Sequence, residues 1–229
     1  MGAVAELVLI RHGQSASNVA FPEADAAGLL ESGLTGRDAD VALTEVGAGQ
    51  ARAVGRWLAG LPGGRLPEVV ITSPYLRARE TWRIAAAASG RELPAPRTDD
   101  RLVDRLLGDL EMLTRAAIEQ RFPDEPGRLA AAGEYGYRPP NGEAFEDIAA
   151  RLTSFLADLG RDHAGRRVLV VAHDSVVLMM RAVIEELDWD GVEAAAGAGP
   201  VRNASITRFD GSSGRLVLDG YNLVDHLDA

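Results

Sequence analysis

Four consecutive aliphatic residues, Leu7, Val8, Leu9 and Ile10, run straight into Arg11, His12 and Gly13, and this stretch constrains the fold most tightly. A short run with no polar residue fits a strand covered on both faces, as in a parallel sheet flanked by helices. Gly13 breaks it where the backbone turns sharply or approaches a neighbour closely. Open α/β sheets bind ligands beyond the carboxyl ends of their strands, so the guanidinium and imidazole arrive at the useful edge.

The pattern recurs. Residues 68–72 form a second apolar strand, ended by Ser73-Pro74 and followed by a helix over 75–88, with Ser73 as its N-cap and Pro74 at its first position. Residues 167–172 form the strongest strand and lead through His173-Asp174-Ser175 into a helix over 176–187. Between these, Thr44 caps a helix to Leu58 carrying Val46, Ala51, Val54 and Leu58 at helical spacing, and residues 114–122 form a short helix. A long helix to about Leu159 places Ile148, Leu152, Phe155, Leu156 and Leu159 on one face. Residues 19–40 and 123–142 read as long loops, the first with one helical turn near 23–30, and 95–98 as a weak strand. Residues 204–209 and 215–219, separated by Asp210-Gly211-Ser212-Ser213-Gly214, predict a hairpin at one sheet edge. Strand-helix alternation implies a three-layer α/β/α sandwich with a mostly parallel central sheet, and no linker divides residues 1–229, so one domain is expected.

Composition narrows the chemistry. With no cysteine among 229 residues, disulfides, thiolate catalysis and cysteine-held metals are excluded. All 24 basic residues are arginine, which excludes Schiff-base lysines and a P-loop lysine but leaves guanidinium forks for phosphate. A net charge of −10 argues against a nucleic-acid partner. The longest apolar runs are split by His173 and Asp174, so no membrane span is expected and a cytoplasmic location follows by default.

Three strands thus end in polar groups at one expected edge: Arg11 and His12, Ser73 with Arg77 a turn later, and His173 with Asp174. Each alone is compatible with ordinary structure; their convergence points to a site. Leu9-Ile10-Arg11-His12-Gly13-Gln14 with Asn18, Leu43-Thr44-Glu45-Val46-Gly47 with Gln50-Ala51, Ser73-Pro74-Tyr75-Leu76-Arg77-Ala78 with Thr81, and Val170-Val171-Ala172-His173 resemble, in order, the motifs of the histidine phosphatase superfamily. That group contains the phosphoglycerate mutase-like enzymes and many phosphatases.

The resemblance implies that His12 is a nucleophile forming a phosphohistidine, with Arg11, Arg77 and His173 holding the phosphoryl oxygens. Gly13, through its amide, and Asn18 would supply further donors. The pocket would be a positive funnel in an acidic protein. It also implies a carboxylic acid for the leaving group, where the family usually has glutamate in a Leu-x-Glu context; Leu102-Val103-Asp104 fits that frame one methylene short. Asp174 competes, since the acid-phosphatase branch resembles a His-Asp pair and uses that aspartate; Asp104 is preferred, and Glu111 comes third. Tyr135, Tyr137 and Arg138 are candidate lid residues. No metal or cofactor is expected.

The expected activity is metal-independent hydrolysis of a small phosphorylated metabolite. A phosphoglycerate mutase is the alternative, disfavoured by Asp104-Arg105-Leu106-Leu107 and by the scattered arginines that follow. A non-catalytic phosphate-binding module is a further alternative, disfavoured by the nucleophile. Oligomeric state stays open, with the C-terminal hairpin edge available for a homodimer.

Overall fold

The computed structural model describes residues 2–228. Six strands, β1 (Glu6–Arg11), β2 (Val69–Thr72), β3 (Arg97–Thr98), β4 (Arg167–Ala172), β5 (Ile206–Asp210) and β6 (Val217–Leu223), form one sheet in the order β3-β2-β4-β1-β5-β6. The first four strands in that order are parallel, while β5 and β6 add an antiparallel edge, as the predicted hairpin requires.

Successive residues of β1 and β4 point to opposite faces, and both faces are covered. Leu7, Leu9, Val168 and Val170 pack against helices α6 (Phe145–Asp162) and α7 (Asp174–Glu185), with Ile148, Leu152, Phe155 and Met180 at the centre. Val8, Ile10, Leu169 and Val171 pack against α2 (Glu45–Gly60) and α3 (Leu76–Ser89) through Val54, Leu58, Ala78 and Trp82. Two dry faces explain why these strands read as continuous apolar runs instead of alternating ones.

Several elements depart from the sequence expectation. Where a loop over 19–40 with one turn near 23–30 is expected, a full helix, α1 (Ala16–Ala26), begins earlier and runs into that stretch; it contains Pro22 and buries only Ala24, so no apolar stripe marks it. Residues 123–142 hold α5 (Glu125–Gly136), an almost wholly exposed helix with Pro near its start and a non-helical Gly133 at φ 71°. Its exposure removes the periodic signal that identifies helices. The short helix α4 (Arg115–Arg121), capped by Thr114, lies where the sequence predicts it, whereas α8 (Trp189–Gly197), which begins behind Asp188, has no counterpart in that expectation. Ser73 is not a helix cap: α3 starts at Leu76 behind Tyr75, and the Ser73 hydroxyl is engaged elsewhere. Val46 lies on the exposed side of α2, whereas Ala51, Val54 and Leu58 are buried.

Candidate active site

Parallel register brings the site together. Arg11 pairs with Ala172 and Thr72 with Val171, so His12, Ser73 and His173 leave three adjacent strands at one level. The His12 amide donates to Ala172 O and the Ser73 amide to Val171 O, each at 2.9 Å, extending the sheet pattern one residue into the site. His12 and His173 are both buried, with ring centroids 5.2 Å apart at 64°.

A short contact fixes the His12 ring: Nδ1 lies 2.7 Å from its neighbour's carbonyl, Gly13 O. A carbonyl can only accept, so Nδ1 carries the proton and Nε2 keeps its lone pair. Arg77 Nε donates to that Nε2 at 3.2 Å. Burial, and then the charges of His173, Arg77 and Arg11, push the His12 imidazole well below its ordinary 6.5 despite the opposing bond to Gly13. The ring is therefore neutral at physiological pH with its nucleophilic nitrogen facing a guanidinium.

Arg77 is buried, and its fork is filled. Nη1 donates to Asp38 O at 2.8 Å and Asp38 Oδ1 at 3.0 Å, while Nη2 donates to Asp38 Oδ2 at 3.0 Å and Asp104 Oδ2 at 2.9 Å. Asp104 also sits 3.2 Å from His173 Nδ1 and accepts from Ser175 Oγ at 2.7 Å and the Arg105 amide at 2.9 Å. Burial alone would raise the Asp104 pKa. The nearby His173 imidazole and the charge of Arg77, with the hydrogen bond from Ser175, outweigh it and hold the carboxyl well below the usual carboxylate range. On its far side, His173 Nε2 meets Ser73 Oγ at 2.8 Å, which fixes the ring plane.

Arg11 donates through Nη1 to Val201 O at 2.5 Å, and its Nη2 lies 3.3 Å from Asp174 Oδ2, leaving Nε buried without a partner. Asn18 reaches back to cap its own helix: its Oδ1 accepts from the Ser15 amide at 3.0 Å and from Asn203 Nδ2 at 3.0 Å. Only its Nδ2 is left to donate toward the cavity that Asn18 lines. The Gly13 amide, expected as a phosphate donor, instead donates to Thr81 Oγ1 at 3.0 Å, and Thr81 donates to Arg77 O at 2.7 Å. Gly13 is thus a packing position: a Cβ there would stand 2.5 Å from Gly47 O.

These groups open into a cavity of about 610 Å³. Its arginines are Arg11, Arg77, Arg105 and Arg115, and carboxylates accompany each, so it is not the positive funnel expected. Of the three expected lid residues only Tyr135 lines it, packed edge-on against Phe145 at 5.0 Å. Tyr137 is buried and donates to Glu125 Oε2 at 2.5 Å, and Arg138 pairs with Asp147 at the start of α6, so both hold α5 in place. Asp38, Ser175 and Asn203 belong to the site but carry no sequence pattern that marks them. Thr81 and Ser73 lay within the quoted motifs, though not in the roles they take.

A neutral imidazole at the carboxyl edge of a parallel sheet, facing buried guanidinium groups, defines an α/β enzyme of phosphoryl chemistry. A family model of the histidine phosphatase superfamily (branch 1) matches residues 7–224, and the chain belongs to that family. Among its relatives, a 2,3-bisphosphoglycerate-dependent phosphoglycerate mutase of Methylobacterium radiotolerans is 38% identical over 186 residues, 80% of this chain and 78% of the relative. Glucosyl-3-phosphoglycerate phosphatase of Mycobacterium tuberculosis is 33% identical over 214 residues, 90% and 85% of the two chains. The solved structure of the mycobacterial glucosyl-3-phosphoglycerate phosphatase with VO3 superposes with a TM-score of 0.72 at 30% identity, covering 96% of this chain and all (100%) of the other. The chain is an enzyme of this family, a phosphoric monoester hydrolase.

Proposed function

We propose that the chain, as one domain over residues 1–229, hydrolyses a small phosphorylated metabolite through a phosphohistidine at His12. The observation that carries this is the Nδ1 bond of His12 to Gly13 O, which leaves Nε2 as the only nucleophilic nitrogen and points it at Arg77. In the first step Nε2 attacks phosphorus and the P–O bond to the alcohol breaks, while Arg11, Arg77 and His173 offset the charge on the phosphoryl oxygens. Asp104 gives the alkoxide its proton. In the second step Asp104 takes a proton from water, water attacks phosphorus, and the P–N bond breaks to release phosphate and neutral His12.

Asp104 is held ionised in the free enzyme, so it must gain its proton when substrate arrives. A phosphate dianion beside Arg77 and His173 weakens their hold on the carboxylate and raises its pKa. Asp104 is favoured over Asp174 because one of its oxygens and ring nitrogens of His12 and His173 lie within 4.8 Å of one another. Asp174 instead accompanies Arg11. Those same three ligand-type atoms could hold a cation, but Arg77 donates into the cluster, which favours an anion and supports metal-independent chemistry.

The mutase reading draws on the identity to phosphoglycerate mutases. It requires anchoring of a second phosphate and a carboxylate, and beyond Arg11 and Arg77 the cavity offers Arg105 and Arg115, which are paired with Glu134 and Asp25. Hydrolysis therefore fits better. The acidic chain makes nucleic acid an unsuitable partner, and no helix among the described residues is long and apolar enough to cross a membrane. A cytoplasmic metabolic role agrees with both, and the hairpin edge strand β6 offers a face for a homodimer. Incubation with 3-phosphoglycerate plus 2,3-bisphosphoglycerate, beside p-nitrophenyl phosphate, tests the proposal. Phosphate release that disappears in His12→Ala is expected; isomer formation outpacing phosphate release overturns it.

A further inference from the structure

The organic end of the cavity has a character of its own. Six carboxylates line the whole pocket, Asp25, Asp38, Asp104, Glu111, Glu134 and Asp174, against four arginines. Two of those arginines, Arg11 and Arg77, stand at the phosphoryl end. Of the other two, Arg105 is almost buried and committed: it donates to Glu143 O at 3.1 Å, Tyr137 O at 2.7 Å and Glu134 Oε1 at 3.0 Å. Arg115 is highly exposed at the rim, 3.6 Å from Asp25. Glu111 is in no ion pair among the described residues, and its Oε1 only accepts the Asp38 amide at 3.2 Å. Phe21, Leu113, Ile118, Tyr135, Leu178 and Tyr221 add apolar and aromatic surface to the wall, alongside the hydroxyls of Ser15, Ser17 and Ser175.

A carboxylate or second phosphate on the alcohol part would therefore meet Glu111, and of the lining arginines only Arg115, at the solvent-exposed rim beside Asp25, is open to it, so it would lose hydration for little gain. A ring would cover the apolar wall, and a cation would find both carboxylate and aromatic faces. We propose that this end of the site selects phosphomonoesters whose alcohol carries an apolar ring and is uncharged or cationic, and discriminates against alcohols bearing a carboxylate or a further phosphate. The proposal rests on the phosphatase reading and separates this chain from the phosphoglycerate chemistry named for its relatives.

Phenyl phosphate, 4-(aminomethyl)phenyl phosphate and 4-carboxyphenyl phosphate share one ring and differ in the charge at its far end. The expected kcat/KM of the aminomethyl ester equals or exceeds that of phenyl phosphate, and the carboxyphenyl ester falls at least about tenfold below it, a difference one well-placed charge provides. Glu111→Gln is expected to narrow the aminomethyl-to-carboxyphenyl ratio by roughly threefold or more. An equal or faster rate on the carboxyphenyl ester overturns the proposal, and loss of that rate in Arg115→Ala would assign an anion receptor to the rim. If none of the three esters is hydrolysed above the His12→Ala background, the phosphatase reading fails. The ranking is then read from thermal shifts with the three corresponding benzylphosphonates: the carboxylate weakest upholds this inference, and the carboxylate strongest overturns it.

Discussion

Arg77 Nη2 and Asp104 Oδ2 stand 2.9 Å apart, and the same oxygen lies 3.2 Å from His173 Nδ1, so the candidate proton donor is held as an anion by groups that would themselves bind phosphate. Substrate must compete for those groups before Asp104 can carry a proton. The need for that proton depends on the leaving group. Asp104→Asn is expected to lower kcat on an alkyl phosphate by about 10²–10⁴, and far less on p-nitrophenyl phosphate, whose phenolate leaves unaided. Asp174→Asn should weaken both substrates alike and less. Steady-state kinetics on the two esters decide it, and a leaving-group dependence that follows Asp174 would move the acid role there.

Asp38 presents both carboxylate oxygens to the Arg77 fork at 3.0 Å, the geometry in which a phosphate would dock. Removing that charge should free the fork. Asp38→Asn is expected to tighten inhibition by inorganic phosphate about fivefold, the worth of roughly 1 kcal/mol for a partly exposed pair. Unchanged or weaker inhibition would mean that Asp38 orients Arg77 instead of competing with phosphate.

The depressed His12 pKa makes a prediction about stability. The unfolded imidazole takes up a proton near its ordinary 6.5, whereas the folded one, buried and beside His173, Arg77 and Arg11, resists it to well below that value. The unfolded state thus binds more protons in this window, and stability present above about pH 6.5 is lost progressively below it. Asp104 adds a second loss only below its unfolded pKa of about 3.9, because its folded pKa is also depressed. Urea unfolding between about pH 7 and 5 should show a falling free energy whose slope is shallower in His12→Gln, the part that remains including His226, whose imidazole is also held below its ordinary value by burial. An identical slope in the variant would contradict the assignment.

Two glycines let the site loop sit against α2. A Cβ on Gly47 would stand 2.0 Å from Gln14 O, and one on Gly13 would stand 2.5 Å from Gly47 O, both against backbone that cannot rotate away. Gly47→Ala should cost about 1–3 kcal/mol and reduce turnover by displacing His12. Gly60→Ala on the same helix, with nothing within 4 Å of its Cβ, should leave the melting temperature unchanged or raise it. Circular dichroism melts compare the two, and equal effects would show that the contact does not matter.

The parts of the fold visible in the sequence are those the sheet buries. Strands β1, β2 and β4 are covered on both faces, so their apolar runs mark the strand ends where Arg11, His12 and His173 stand, with Arg77 a turn beyond the end of β2. Helices α1 and α5 contribute to the cavity wall with little buried surface, so they leave no periodicity in the sequence. Asp38 falls between such elements, and Asn203 and Ser175 touch the site across nearly the whole chain length or through one hydroxyl, which no local pattern encodes. Gly13 shows the converse limit: its place in a motif marked its importance, but only the bond of its amide to Thr81 separates close packing from ligand binding.

The covalent intermediate tests the central claim most directly. Enzyme mixed with a phenyl phosphate, quenched within milliseconds under denaturing alkaline conditions to preserve the P–N bond, is digested and mapped by mass spectrometry. One phosphoryl group on Nε2 of His12, formed at a rate no slower than turnover and absent in His12→Ala, is the predicted result. A phosphoryl group on another residue, or undiminished hydrolysis by His12→Ala, would contradict it.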